Sequence, residues 1–307
     1  MQDAHPLIAV VGPTGSGKSE LALHIALRFN GEIVNCDSVQ VYDGLDIGSA
    51  KTPLAERAGV PHHLFDVLLP SGEMTAGEYA RRAVAVLGEI RARGALPVLA
   101  GGTGFYLRAL LDGLSPAPLR NSELRERLAA LAQRRPQALY KFLKKRDPEA
   151  AARIHPNDHQ KLMRAIEIAG QAKEPRRSLQ GFRVLKIGLN PPREALYDKL
   201  NRRTAWMFEN GLLAETEALL TSGVPANARS LATLGYRQAV AALTEGMNKQ
   251  AAVLECQVRT RQYAKRQLTW FRAEADLHWL NGFGTDEVIR FEANELVSRH
   301  LLAKPVS

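Results

Sequence analysis

Apolar and polar positions alternate in blocks along the first third of the chain. Leu7–Val11 is a short continuous apolar run, the pattern of a strand buried on both faces, and the helix-like stretch Glu20–Leu27 follows it. Glu32–Asp37 and Leu96–Ala100 predict two further strands, so strand and helix patterns alternate from Leu7 to about Asp112. The turn formers of Gly113–Pro118 break that alternation, and a helical period takes over. Leu124, Leu128 and Leu131 form one stripe after an Asn121/Ser122 cap, and Leu139, Phe142 and Leu143 form a second. Asp147 with Pro148 caps a third, short helix. A fourth opens at Asn157 and Asp158, turns Leu162 and Ile166 inward and ends near Gly170. Strand character returns at Arg183–Leu189 and Leu277–Leu280, and only the turn-rich tract Gly223–Arg229 clearly interrupts the C-terminal helices. The chain shows no internal repeat. The pattern predicts an α/β fold whose parallel sheet is built from both ends of the chain, residues 1–114 and 182–307, with a helical insertion at 115–181.

Between the first strand and its helix lie Gly12, Pro13, Thr14, Gly15, Ser16, Gly17, Lys18 and Ser19. Strand, glycine loop, lysine and helix in this order make a P-loop, so the core is expected to be P-loop NTPase-like. Glycines let successive N–H groups and the helix N-terminus point at phosphate oxygens, Lys18 adds a positive charge, and the Ser19 hydroxyl can hold a magnesium ion. The partners of nucleotide hydrolysis are poorly represented: the strand at Leu96–Ala100 runs into Gly101, Gly102, Thr103 and Gly104 where a hydrolase carries an acid. The acid stands instead at the end of the second strand, as Asp37, followed by Ser38, Val39 and Gln40. Ligands of parallel sheets bind beyond the carboxyl ends of strands, so the P-loop, Asp37 and Thr103 are expected to share one crevice. There Asp37 could help hold magnesium or take a proton from an attacking acceptor; its plainer use is to cap the turn after the strand.

The 307 residues are 45% hydrophobic, enough for one large or two modest cores. No apolar run approaches a membrane span and the start lacks a signal-peptide pattern, so a cytoplasmic protein with no membrane partner is expected. Cys36 and Cys256 have no metal-ligand spacing and read as free thiols. The net charge is +9, and Lys141–Glu209 holds sixteen basic against eight acidic residues, which places nearly all of the excess there. Such a region suits a polyanion. Within it, Gln160 and Arg164 fall one helical turn apart, with Lys161, Leu162 and Met163 between them. A second basic series, Arg259, Arg261, Lys265, Arg266 and Arg272, is interleaved with Tyr263, Trp270 and Phe271. Those aromatics fit unpaired RNA bases and core anchoring equally well.

Several ordered motifs together resemble the tRNA dimethylallyltransferases, nearly end to end. They are Gly12–Ser19, Asp37–Tyr42, Asp46–Lys51, Pro61–Asp66, Gly101–Tyr106, Ile154–Asp158, Leu234–Arg237 and Gln262–Trp270. The resemblance implies transfer of a dimethylallyl group from dimethylallyl diphosphate to N6 of adenosine 37, beside the anticodon of tRNAs reading codons that begin with U, with magnesium as cofactor. It assigns the P-loop and Arg203 to the diphosphate and Asp37 to the general base. Thr14 and Thr103 are then positioning groups. Ser38, Val39, Gln40, Arg125, Gln160–Arg164 and Arg237 become tRNA contacts. The partners expected are the tRNA anticodon loop and dimethylallyl diphosphate, acting on a monomer. A P-loop kinase of small molecules or nucleosides is the principal alternative, distinguished by ATP consumption; a non-enzymatic RNA-binding module leaves the P-loop and Asp37 unexplained, and prenylation of free AMP leaves the basic insertion without a use.

Overall fold

The computed structural model describes residues 4–114, 121–169 and 176–303. The first part runs β1 His5–Val11, α1 Lys18–Arg28, β2 Gly31–Asn35, β3 His62–His63, α2 Ala76–Ala92, β4 Leu96–Gly101 and α3 Gly104–Leu111. Helices α4 Ser122–Arg134, α5 Ala138–Arg146, α6 Pro148–Ala152 and α7 His159–Ile168 follow. The chain continues through β5 Phe182–Leu189, α8 Arg193–Glu209, α9 Leu212–Thr221, α10 Tyr236–Thr244, α11 Lys249–Arg272, β6 Leu277–Leu280 and α12 Glu287–Leu302. Two compact units result, Met1–Asp112 with Ser178–Ser307, and Gly113–Arg177. Among the described residues no helix is long and apolar enough to cross a membrane.

The larger unit is built on six parallel strands in the order β3-β2-β4-β1-β5-β6. β1 lies inside the sheet, with Ile8 opposite Val98 of β4 and Leu185 of β5. A strand paired on both edges and covered on both faces has no solvent side, which is why Leu7–Val11 reads as an unbroken apolar run; each of these residues is at most 1% exposed. Ile8, Val10 and Ile187 meet Leu21 and Ile25 of α1 and Ile289 and Val297 of α12. Helix α2 packs on β4 and α3, where Tyr79 stacks on Tyr106 at 4.2 Å.

Two expectations are corrected. β2 stops at Asn35, short of Asp37, because the Asn35 side chain turns the chain: Oδ1 accepts from Asp37 N at 2.9 Å, and Nδ2 donates to Asp37 O and Leu64 O. Regular alternation also lapses from Ser38 to Thr75, which holds only the one-turn 3₁₀ segment Leu54–Glu56 and the two-residue β3. Polar staples organise this stretch. The buried Lys51 ammonium donates to Tyr42 O at 2.9 Å, to Asp46 at 2.6 Å and to Asp66. From α9, the Glu215 carboxylate accepts the N–H groups of Asp46, Ile47 and Gly48.

The smaller unit packs α4–α7 around Leu128, Leu139, Leu143, Leu162 and Ile166. Helices α4, α6 and α7 start on side-chain caps, with Asn121, Asp147 and Asp158 accepting from Leu124 N, Ala150 N and Lys161 N, while α5 has no side-chain cap. Leu131 and Phe142, expected in the core stripes, are 37% and 47% exposed. Ser115–Pro118 of the turn-rich break and the helix end at Gly170 lie outside the described residues.

Candidate active site

β2, β4 and β1 lie side by side, so their carboxyl ends bring Asp37, Gly102–Thr103 and the Gly12–Ser19 loop to one edge of the sheet. Gly17 ends the loop as the N-cap of α1 at φ 87, with no side-chain cap, leaving the N–H groups of the first turn to an anion. A Cβ at Gly17 would stand 2.8 Å from Gly284 N, and Gly284 N donates to Ser16 O at 2.9 Å, so the loop after β6 buttresses the cradle. Ser16 Oγ is buried with no hydrogen-bond partner among the described residues.

Two cations hydrogen-bond to this loop. Lys18 Nζ donates to Pro13 O at 2.7 Å. Burial brings the Lys18 ammonium down to about 8, the Asp37 charge opposing and the Arg203 charge assisting. Arg203, on α8, donates to Thr14 Oγ1 at 2.7 Å, and burial holds its guanidinium below the ordinary value. Thr14 N donates to Gln267 Oε1 at 2.8 Å, and Gln267 Nε2 donates to Gly102 O at 2.8 Å.

On the acceptor side, Asp37 Oδ1 accepts from Val39 N at 2.9 Å. One carboxylate oxygen thus does take the turn-capping role, while Oδ2 has no hydrogen bond among the described residues. Thr103 Oγ1 accepts from Ser38 N at 3.0 Å and donates to Ser38 Oγ at 3.2 Å, tying the turn after β4 to the one after β2. Gln40 Nε2 is turned back onto Ser49 O and Ala50 O. The Tyr263 phenol lies against Thr103, and burial with the Asp37 charge pushes it up, so it is protonated at neutral pH. Cys36 is buried and pushed up to about 12 by burial, an inert thiol.

Ser19, on the first turn of α1, is the residue expected to hold a metal. Among the described residues no group of three or more His, Cys, Asp or Glu is placed to ligate one. A single hydroxyl on the first turn of the helix would suit only a hard divalent ion that takes most of its oxygen ligands from elsewhere.

The expected tRNA contacts divide. Gln160 and Lys161 are exposed on α7, and Arg237 is exposed on α10. Leu162 and Met163 are corrected: at 0% and 6% exposure their side chains belong to the core of the smaller unit, turned inward by the same helical period that leaves Gln160 outside. Arg125 and Arg164 both grip Glu167, at 2.8 and 3.2 Å. Burial raises that carboxyl, but the two guanidinium partners outweigh it and hold it below its usual range. On α11 the open choice between base stacking and core anchoring resolves residue by residue. Phe271 is core at 1% exposed, Tyr263 faces Thr103, and Trp270 carries Arg108 over its ring at 4.5 Å. Lys265, Arg266, Trp270 and Arg108 line a groove of about 620 Å³.

Glu215 carries no sequence signal, and Lys51 and Gln267 enter only as members of the motifs Asp46–Lys51 and Gln262–Trp270, without a role of their own. Gln267 had a readable signal, being a polar side chain on the buried stripe of α11 with Thr260, Ala264 and Phe271, where an amide needs partners.

Residues 40–274 match the IPP transferase family. A tRNA dimethylallyltransferase of Solibacter usitatus is 52% identical over 304 residues, covering 96% of this chain and 99% of that protein. One from Koribacter versatilis is 53% identical, covering 95% and 97%. Among solved structures, the full-length tRNA isopentenylpyrophosphate transferase of Bacillus halodurans aligns with a TM-score of 0.71 at 36% identity, covering 97% of this chain and 99% of that one. A eukaryotic dimethylallyltransferase, seen in crystallographic snapshots acting on tRNA, aligns at 0.78 and 27%, covering 99% and 81%. With the glycine loop, the acid one strand further along and the paired Thr103 and Ser38 all in place, these matches make the chain a member of the IPP transferase family, the tRNA dimethylallyltransferases.

Proposed function

We propose that the protein transfers a dimethylallyl group from dimethylallyl diphosphate to N6 of adenosine 37 in tRNAs reading codons that begin with U. The observation that carries this reading is the pairing, on one edge of the sheet, of a glycine loop bearing Lys18 and Arg203 with a carboxylate, Asp37, one of whose oxygens has no hydrogen bond among the described residues. The cradle receives the diphosphate. As the C–O bond of the donor breaks, its electron pair leaves with the diphosphate, and the loop N–H groups, Lys18 and Arg203 stabilise that charge. N6 forms the new bond to the allylic carbon. Because the exocyclic amine lone pair is delocalised into the purine, it is a poor nucleophile, and Asp37 takes its proton as the bond forms.

Thr103, held by Ser38, positions the acceptor, and Ser38, Val39 and Gln40 line the mouth through which a flipped adenosine enters. Magnesium, held by Ser19 with the diphosphate, supplies further charge neutralisation when bound. Exposed Gln160 and Lys161, with Arg237, are tRNA contacts in this reading; Leu162 and Met163 support them from the core. The crevice is assembled within a single chain, which supports a monomer acting on tRNA in the cytoplasm. Nucleoside mass spectrometry of tRNA incubated with the protein, magnesium and dimethylallyl diphosphate tests the proposal. Dimethylallyladenosine is the expected product. Unmodified tRNA, with ATP-dependent phosphorylation of a small acceptor in its place, would refute it in favour of a kinase.

A further inference from the structure

Helix α11 meets the turn between β4 and α3 one residue at a time. Gln267 donates to Gly102 O, Tyr263 lies against Thr103, and the Trp270 ring fills the space over Gly104, where a Cβ would come within 2.2 Å of it. Gln267 is 5% exposed, and its second amide atom, Oε1, accepts from Thr14 N in the P-loop. One buried side chain therefore spans the two loops that carry opposite halves of the reaction. The amide meets both needs at once: ionised Glu has no donor for Gly102 O, Lys has no acceptor for Thr14 N, and Leu or Met has neither. Gln267 commits the Thr14 N–H to this brace and Arg203 holds the Thr14 hydroxyl from the other side, so the cradle relies on the later amides of the loop.

We infer that Gln267 is a positioning residue, setting the separation of the diphosphate cradle from the Gly102–Thr103 turn and so of the allylic carbon from N6. This inference rests on the dimethylallyl-transfer reading above. In a displacement at carbon the distance between nucleophile and reacting carbon governs the rate, and a misplacement of about 1 Å costs about a hundredfold. Gln267 touches neither substrate in this account; it acts through Thr14 and Thr103.

The test uses the full-length protein with Gln267→Leu, Gln267→Glu, Thr103→Ala and the Q267L/T103A double variant. Thermal melts establish folding, equilibrium binding gives the affinity for tRNA and for dimethylallyl diphosphate, and single-turnover assays give the rate. Both Gln267 variants are expected to transfer about 10- to 100-fold more slowly, with both dissociation constants within about threefold of the parent. Gln267→Glu keeps the acceptor for Thr14 N and is the variant that answers the question if Gln267→Leu does not fold. In the Thr103→Ala background Q267L is expected to cost less than about threefold more, since the turn it positions has already lost its acting side chain. A folded Gln267 variant with the parent's single-turnover rate, or a full second loss in the double variant, overturns the inference. A parent that binds the donor yet leaves tRNA unmodified refutes the functional reading instead.

Discussion

Lys18 sits in its loop at a cost that pH can reveal. Its ammonium is drawn down from 10.5 to about 8, first by burial, with Arg203 adding to the effect and Asp37 opposing it. That gap corresponds to about 3 kcal/mol between the two protonation states, and the partial exposure of the side chain screens it to about 2 kcal/mol. The unfolded chain keeps the proton up to 10.5 while the folded chain releases it near 8. Between those values the unfolded state binds more protons, so the Lys18 contribution to stability rises with pH across that window and is flat below it. Lys18→Met keeps the length and removes the titration. Urea unfolding of the ligand-free parent and variant, followed by tryptophan fluorescence, measures the difference directly. Trp206, Trp270 and Trp279 all lie in the larger unit, so the signal reports the unit that holds Lys18. The variant's stability relative to the parent is expected to be about 2 kcal/mol higher at pH 7 than at pH 10.5, whatever constant offset the lost bond to Pro13 O adds. Dimethylallyl diphosphate, which favours the ammonium, should lose affinity for the parent above pH 8 more steeply than for Lys18→Met. Parallel stability profiles for the two proteins would refute the account of a buried, destabilising lysine.

Asp37→Asn keeps the bond from Val39 N and removes the base; it is expected to slow single-turnover transfer by about 10²- to 10⁴-fold while tRNA affinity, read by filter binding, stays close to the parent. Lys161→Glu, on a side chain 72% exposed and paired at the surface with Asp158, should weaken tRNA binding and reduce its salt dependence without changing donor affinity; unchanged tRNA affinity at low salt would remove α7 from the tRNA surface. Arg125→Ala strips one partner from Glu167, whose side chain is 2% exposed, and should destabilise the smaller unit by about 1–3 kcal/mol in hydrogen exchange; weaker tRNA binding with unaltered exchange would return Arg125 to a direct contact.

The parts of this protein legible in its sequence are those whose causes are local. The glycine loop declares itself because loop, lysine and helix are consecutive, and β1 and β4 declare themselves because central strands of a parallel sheet are apolar on both faces. Caps at Asn121, Asp147 and Asp158 are read three residues from the N–H groups they satisfy. The stretch from Ser38 to Thr75 is not legible because its order comes from polar staples: Glu215 reaches it across about 170 positions of chain, and Lys51 is satisfied by Tyr42, Asp46 and Asp66, none of which lies at a helical or strand period from it. Gln267 sits 165 positions from Gly102 and 253 from Thr14, so its stripe on α11 announces a buried amide without naming its partners. The resemblance takes in Gln160–Arg164 as one run, although the helical period alone separates Leu162 and Met163 from Gln160 and Lys161.

The place of the acid in the sheet also bears on the reaction. β4 lies between β1 and β2, so the loop that follows β1 and the carboxylate that follows β2 start two strand spacings apart, about 10 Å. The intervening strand ends in glycines that allow close backbone approach: a Cβ on Gly101 would lie 2.1 Å from Cys36 O, and one on Gly102 would meet the Gln267 amide at 2.2 Å. An acid directly beside the P-loop would crowd that interval. Glycines keep it clear, and Thr103 alone reaches from the turn toward Ser38. On the proposed reading this interval is where the dimethylallyl group and the purine edge meet, with the leaving diphosphate on the β1 side and the proton acceptor on the β2 side. Gly102→Ala should therefore displace Gln267 and depress transfer as the Gln267 variants do, while Gly88→Ala, at a helix position with open space around its Cα, should leave transfer unchanged. Equal rates in the two glycine variants would mean that the separation of the loops is not set at this turn.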